Sequence, residues 1–223
     1  MKIDKIFIIH HPSLTDRKQY MEGVIPKFNI PYEYVCDFTQ ASKEIYDSKY
    51  IDISENNRAI KNSQILIGDK IGADAALTHN SLKACSLEHY SIISNFAKSK
   101  YNNILILQDD IIFDDNFPGF DAYLNELPDN YDVLYLSGVC GIKLQYQTEK
   151  ILDLQPLRIS NGGGAYIVSK KAAKIISENA LPLFCNWDWE ICCMQMFFEM
   201  DVYWTTNILL YDGSEIGRYK RCY

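Results

Sequence analysis

A chain of 223 residues, 48% of them hydrophobic, is long enough to bury a sizeable core as one large domain or a domain with an elaboration. Its formal charge of -7 leaves no broad basic face to displace counterions from phosphates, which argues against a nucleic-acid partner. The same field means that an anionic substrate needs a local cation or clustered arginine and lysine.

The chain opens with a short apolar run, Ile6 to Ile9, that predicts a buried first strand. His10-His11-Pro12-Ser13 ends it, and Thr15-Asp16-Arg17 leads into a helix carrying Tyr20, Met21, Val24 and Ile25. Strand, turn and helix in that order open a nucleotide-binding type of α/β layer. Adjacent histidines on extended backbone point apart, so a loop role or a ligand contact suits them better than paired metal ligation. Arg17 at the helix start is placed to meet a phosphate, or is simply a solvated arginine. Tyr32 to Val35 predict a second strand. Residues 37–73 are irregular and polar, too long for a plain loop, and read as an insertion with small helices.

From Asp74 to Lys98 the apolar residues Ala75, Leu77, Leu82, Cys85, Leu87, Ile92, Ile93 and Phe96 recur near the helical period, with Thr78 and His79 in the first turns. Tyr101-Asn102-Asn103 is a turn. Ile104-Leu105-Ile106-Leu107 then predicts a strand buried on both faces, running straight into Gln108, Asp109 and Asp110. Two acids at the exit of a buried strand fall where open α/β sheets bind ligands, although Asp-Asp is also an ordinary turn. Phe120 to Leu127 suggests a short helix, residues 132–138 a strand, and residues 141–157 a hairpin-like excursion. Asn161-Gly162-Gly163-Gly164 precedes a strand at Ala165 to Val168, with Ser169 as N-cap of the next helix. No GKS or GKT follows the glycines, so this is no Walker loop. It is a flexible loop or the wall of a cleft.

Asn186-Trp187-Asp188-Trp189-Glu190 begins a helix through Phe198. Acids are favoured at any helix start. Tryptophan faces beside a carboxylate also suit a sugar ring and a deprotonating base. Val202 to Tyr211 reads as one late strand, followed by Asp212-Gly213-Ser214-Glu215 and the basic residues Arg218, Lys220 and Arg221. Seven cysteines (Cys36, Cys85, Cys140, Cys185, Cys192, Cys193 and Cys222) form no CxxC or finger spacing, which suggests reduced thiols in a cytoplasmic setting. Neither a signal-peptide core nor a stretch approaching the length of a membrane span is present, so no integral membrane segment is expected.

Four segments in order resemble glycosyltransferase family 25, the lipopolysaccharide-biosynthesis and collagen-galactosyltransferase group. The opening strand with downstream Arg17 resembles its nucleotide-binding element, and Ala76-Leu77-Thr78-His79 its Ala-Leu-Ser-His helix start. Leu107-Gln108-Asp109-Asp110-Ile111 resembles its Leu-Glu-Asp-Asp-Val motif. Gly164-Ala165-Tyr166-Ile167-Val168-Ser169 resembles its Ala-Tyr-Val-Ile-Ser segment with the following Ala-rich helix. Gln108 stands where the family usually has Glu, and Gly72 about where it has an acid.

The resemblance implies one GT-A-like domain over residues 1–223, with the insertion at about 37–73. That fold is an α/β, Rossmann-like mixed sheet flanked by helices. It further implies transfer of a hexose, galactose or glucose, from a UDP-sugar to a hydroxyl on a glycan or protein acceptor, with inversion and with Mn²⁺ or Mg²⁺. Hard oxygen ligands suit such a cation, which neutralises the charge that develops on a leaving diphosphate. Asp110 is the expected main ligand, with Asp109 supporting it and Asp212 as a further one. Arg17, His79, Gln108, Asp109 and Arg218 are expected around the donor nucleotide, with Lys220 a further cation for the diphosphate. Asp188 is the first choice for the base and Glu190 the second. Two other readings stay open: a catalytically impaired nucleotide- or carbohydrate-binding relative, motivated by Gln108, and a metal-dependent phosphohydrolase or nucleotidyltransferase using the two acids.

Overall fold

Ile104, Leu105, Ile106 and Leu107 are all fully buried, and their strand lies inside a sheet covered on both faces. The computed structural model describes residues 1–52, 77, 79–137, 162–205 and 209–220, together with the backbone of 151–153. Its elements are β1 (Lys5–Ile9), α1 (Thr15–Val24), β2 (Tyr32–Val35), α2 (Asn80–Lys98), β3 (Asn103–Gln108), β4 (Ile111–Phe113), α3 (Asp121–Leu124), β5 (Val133–Tyr135), β6 (Ile151–Asp153), β7 (Ala165–Ser169), α4 (Lys170–Asn179), α5 (Trp187–Phe197), β8 (Val202–Thr205) and β9 (Leu210–Asp212). Seven of these strands form one mixed sheet in the order β2-β1-β3-β7-β5-β8-β6, with β7 and β6 running against the rest. This is the helix-flanked mixed α/β sheet that the sequence predicts.

Alternation along β3 divides the core. Ile104 and Ile106 pack with Leu87, Ile93 and Phe96 of α2, Ala173 and Ile176 of α4, and Trp187 and Ile191 of α5. Leu105 and Leu107 pack on the other face with Met21 of α1, Ile25, and Tyr123 and Leu124 of α3. Each such aliphatic, taken fully out of water, contributes on the order of 1.5–3 kcal/mol. The Ser169 hydroxyl caps α4 by accepting from the Ala172 N–H (3.2 Å), as expected of that residue.

Two expectations are corrected. Val202 to Tyr211 is not one strand: β8 belongs to the large sheet, whereas β9 pairs antiparallel with β4 in a separate ribbon. His79 does not lie in the first turns of its helix: α2 starts at Asn80, with His79 as its extended N-cap. Residues 74–76 and 78 of the helix predicted from Asp74 and most of the predicted 141–157 excursion lie outside the described residues; β6, within that excursion, pairs with β8. Residues 53–73 of the irregular insertion also lie outside them, and the described part includes a 3₁₀ turn at Lys43–Tyr46.

The topology selects a working edge. Chain order reverses across β1, with β2 on one side and β3 on the other, so a crevice opens between the carboxyl ends of β1 and β3. His10 leaves β1 there, and Gln108, Asp109 and Asp110 leave β3. Because β7 is antiparallel, its entry, Gly163 and Gly164, arrives at the same edge. The β4–β9 ribbon pairs Ile111 with Asp212 and so returns a third acid to it.

Candidate active site

Asp109 is the anchor of this edge. Its Oδ2 accepts from Nδ1 of His10 (2.8 Å) and its Oδ1 from Nη1 of Arg17 (2.8 Å), all three side chains being buried. The same guanidinium lies 3.3 Å from Oδ2 of Asp110 and donates through Nη2 to the Lys220 carbonyl (2.8 Å). Arg17 therefore organises the acids from inside. Both oxygens of Asp109 are engaged by the protein, which gives this residue the work of holding His10 and Arg17. The adjacent histidines do point apart: His10 is buried, whereas His11 is exposed and contacts the Ser13 hydroxyl (2.7 Å).

Asp110 is the chemically open acid. Ser214 donates its hydroxyl to Oδ2 (2.5 Å), while Oδ1 is buried and has no hydrogen-bond partner among the described residues. Burial first, and then the charge of Asp212, push its pKa up to about 6, with Ser214 and Arg17 acting the other way. Asp212 Oδ1 accepts from the Ser214 and Glu215 N–H groups (2.7 and 3.1 Å), fixing the turn that delivers Ser214. Gly213 is required in that turn. A Cβ there would lie 2.7 Å from the Asp110 carbonyl oxygen and 2.6 Å from the Tyr219 ring.

A bare carboxylate oxygen in a buried, acid-lined corner fits a hard cation, which protein sites often hold by one or two carboxylates while substrate phosphates supply further oxygens. Asp110 and Asp212 meet that description. Among the described residues no three histidine, cysteine, aspartate or glutamate side chains group closely enough to form a metal cage.

Asp188 lies in the first turn of α5, which Asn186 caps by accepting from the Trp189 N–H (3.4 Å). Its Oδ1 accepts from the Gly163 N–H (2.7 Å), so the glycine segment is the wall of this site. A side chain at 163 would strike that oxygen, its Cβ falling 2.7 Å away. Burial first, then the charges of Asp212 and Glu215, raise the pKa of Asp188, and the Gly163 N–H opposes them. The residue is still partly open to solvent. Glu190 differs. It is buried, and its Oε2 accepts from the Phe184 and Cys185 N–H groups (3.0 and 3.3 Å), which staples the loop before α5. Burial pushes its pKa up to about 7.

The tryptophans do not offer open faces to a sugar. Trp187 and Trp189 are buried, and Trp187 stacks flat on His89 (centroids 5.3 Å apart, planes at 2°). Gln108 turns towards the same place, its amide nitrogen 3.3 Å from His89 Nε2 and 3.8 Å from Cys85 Sγ. His79 is exposed at the N-cap of α2. Arg218 is exposed, stacked over Tyr20 (4.7 Å) and tied by its N–H to the Gly213 carbonyl (2.8 Å). The structure thus brings Arg17, Gln108, Asp109, Asp110, Asp188, Asp212 and Arg218 to one edge. Glu190 is set back in a structural role. Sequence reasoning missed His89, Tyr166 and Ser214. A helix-buried histidine and a strand tyrosine give no local signal, and Ser214 was readable only as part of a turn.

Comparison with known proteins identifies the family. The family model described as glycosyltransferase family 25 (LPS biosynthesis protein) matches residues 3–161, well over half of the chain. The chain belongs to that family. It is accordingly a glycosyltransferase, acting between a sugar donor and an acceptor. A search of curated proteins returns no match. Among solved structures, a glycosyltransferase involved in the glycosylation of the major capsid of PBCV-1 is similar over 82% of this chain and 69% of its own, at 9% identity and a TM-score of 0.37. Among the described residues no helix is long and apolar enough to cross a membrane.

Proposed function

We propose that the chain transfers a hexose, galactose or glucose, from a UDP-sugar to a hydroxyl of a glycan or protein acceptor, with inversion and with Mn²⁺ or Mg²⁺ as cofactor. The observation that carries this reading is the bare, buried Oδ1 of Asp110 beside Asp212 at the β1/β3 crevice. Asp110 and Asp212 are the residues that would hold the cation, which when bound supplies charge neutralisation to the departing diphosphate.

The chain's own residues do the rest. Asp109, held by His10 and Arg17, fixes the strand exit so that Asp110 keeps its direction. Arg218, exposed and tethered to Gly213, is the cation that meets the diphosphate. Asp188 takes the proton from the acceptor hydroxyl, and its raised pKa brings it nearer the operating pH, as a general base needs. Gly163 N–H engages one of its oxygens and leaves the other to reach the acceptor.

A UDP-release assay over a panel of UDP-sugars, with and without Mn²⁺, tests the proposal. Release that depends on metal and on one donor supports it. Metal-dependent UDP binding without release over the panel would favour the impaired nucleotide-binding relative that neutral Gln108 suggests. Asp110→Asn should abolish metal-dependent turnover, and full activity in that variant would remove the central claim.

A further inference from the structure

Behind Asp188 lies a buried polar cluster that the proposed reaction does not itself use. His89 is completely buried in α2, stacked on Trp187 and near-parallel to Tyr166 (centroids 5.3 and 5.8 Å from its own). Its Nε2 faces the Gln108 amide nitrogen at 3.3 Å and its Nδ1 faces the Tyr166 hydroxyl at 3.0 Å. The Trp187 indole N–H also donates to that hydroxyl (3.0 Å), and the Trp187 backbone N–H donates to Ser86 Oγ (3.0 Å). Trp187 is therefore pinned at both ends, and Asp188 is the next residue. The position of a Cβ on Gly163 would touch Asp188 Oδ1, Trp187 Cδ1 and His89 Cε1 together, at 2.7, 3.1 and 3.6 Å. The base, the indole and the imidazole share one wall.

We infer that Gln108 is a positioning residue: its amide nitrogen fixes His89 as the Nδ1–H tautomer, and the ring so held packs Trp187, and with it the neighbouring Asp188, against Gly163. The facing amide nitrogen decides the direction. An amide nitrogen only donates, so Nε2 of His89 must accept, and the single proton of a neutral ring resides on Nδ1. Burial pushes the pKa of His89 down to about 3, so the ring is neutral. Nδ1–H then donates to the Tyr166 oxygen, which also accepts from the Trp187 indole N–H. A carboxylate at position 108 would instead demand an N–H on Nε2. The Tyr166 contact would reverse, or the ring would gain a charge beneath Asp188.

This inference rests on Asp188 as the base, and its test separates the two claims. Long-range ¹H–¹⁵N correlation on histidine-labelled protein, with His89 assigned by its loss in His89→Gln, reads the tautomer without any activity. Wild type should show a protonated Nδ1 and a bare Nε2; a protonated Nε2 overturns the inference with no variant needed. Gln108→Glu should move or add the proton at Nε2. It should also lower kcat by about tenfold to a hundredfold, the cost of a misplaced catalytic group, while the donor KM stays within about twofold. A moved proton with unchanged kcat removes the positioning role. Normal transfer by Asp188→Asn would remove the base assignment instead and leave the tautomer result standing.

Discussion

Asp109→Asn is the sharpest test of how the acid corner is held. The substitution keeps the shape of the side chain and removes one charge from a cluster in which Asp109, Arg17 and His10 are each about 5% exposed. Arg17 would keep Asp110 at 3.3 Å and the Lys220 carbonyl at 2.8 Å, but lose its shortest carboxylate contact. His10 fares worse. The new amide can offer its oxygen to Arg17 only by turning its NH₂ towards the Nδ1–H of His10, and moving that proton to Nε2 puts it where no partner exists among the described residues. Breaking one side of a buried pair costs about 3–5 kcal/mol, and the surviving Asp110 contact places this case at the low end, about 3 kcal/mol. At about 2–4 °C per kcal/mol for a chain of this size, the midpoint should fall by about 6–12 °C. Urea unfolding followed by tryptophan fluorescence measures the free-energy loss and a thermal melt the midpoint, with Lys18→Ala, which breaks an exposed i,i+4 pair, as a control expected to cost about 0.5 kcal/mol or less. A loss below about 1 kcal/mol for Asp109→Asn would refute the buried-anchor reading.

Other outcomes follow from the same coordinates. Asp188→Asn should cut kcat by about 10²–10⁴-fold with the unfolding midpoint little changed, as expected of a positioned base; steady-state kinetics decide. Gly163→Ala should also lower kcat at unchanged donor KM, because its Cβ would push Asp188 Oδ1 from a 2.7 Å approach. Glu190 predicts a pH dependence of stability. Its folded pKa of about 7 exceeds the ordinary 4.5, so the folded state holds the proton more tightly. Stability should therefore fall as pH rises from about 4.5 to about 7 and level off above, by an amount on the order of 3 kcal/mol for this residue. Melting curves of Glu190→Gln across that window should be flatter than wild type, and an unaltered slope would count against the burial argument. Ile106→Ala, at a fully buried site, should cost about 2–5 kcal/mol by chemical denaturation.

How much of this was legible beforehand depended on whether the physics is local. Ile104 to Leu107 announced a doubly covered strand because four aliphatics in a row have no face to show water. Ser169 announced its helix because an N-cap is a contact between near neighbours in sequence. Asp109 and Asp110 could be seen as a pair, but not as unequal partners of Arg17, whose choice between them is made across 92 residues. The division of Val202 to Tyr211 was invisible for a similar reason: apolar alternation continues through it while the two halves join different sheets. The tryptophans misled because a ring beside a carboxylate reads the same whether it is open to a sugar or stacked under His89. Only packing decides that.

The contact between Arg17 and the Lys220 carbonyl spans 203 positions of sequence, and it has a bearing on how the protein is made. On the ribosome, Arg17 can find Asp109 before the residues that carry Asp212 and Ser214 are made. Non-local pairings of this kind form late, after the loop-closure entropy of everything between them has been met. The nascent protein should therefore own a core before it owns a finished donor pocket. Stalled chains ending before residue 209 should bind UDP more weakly than chains that include Asp212 and Ser214, and equal binding would show that the acid corner does not wait for those two residues.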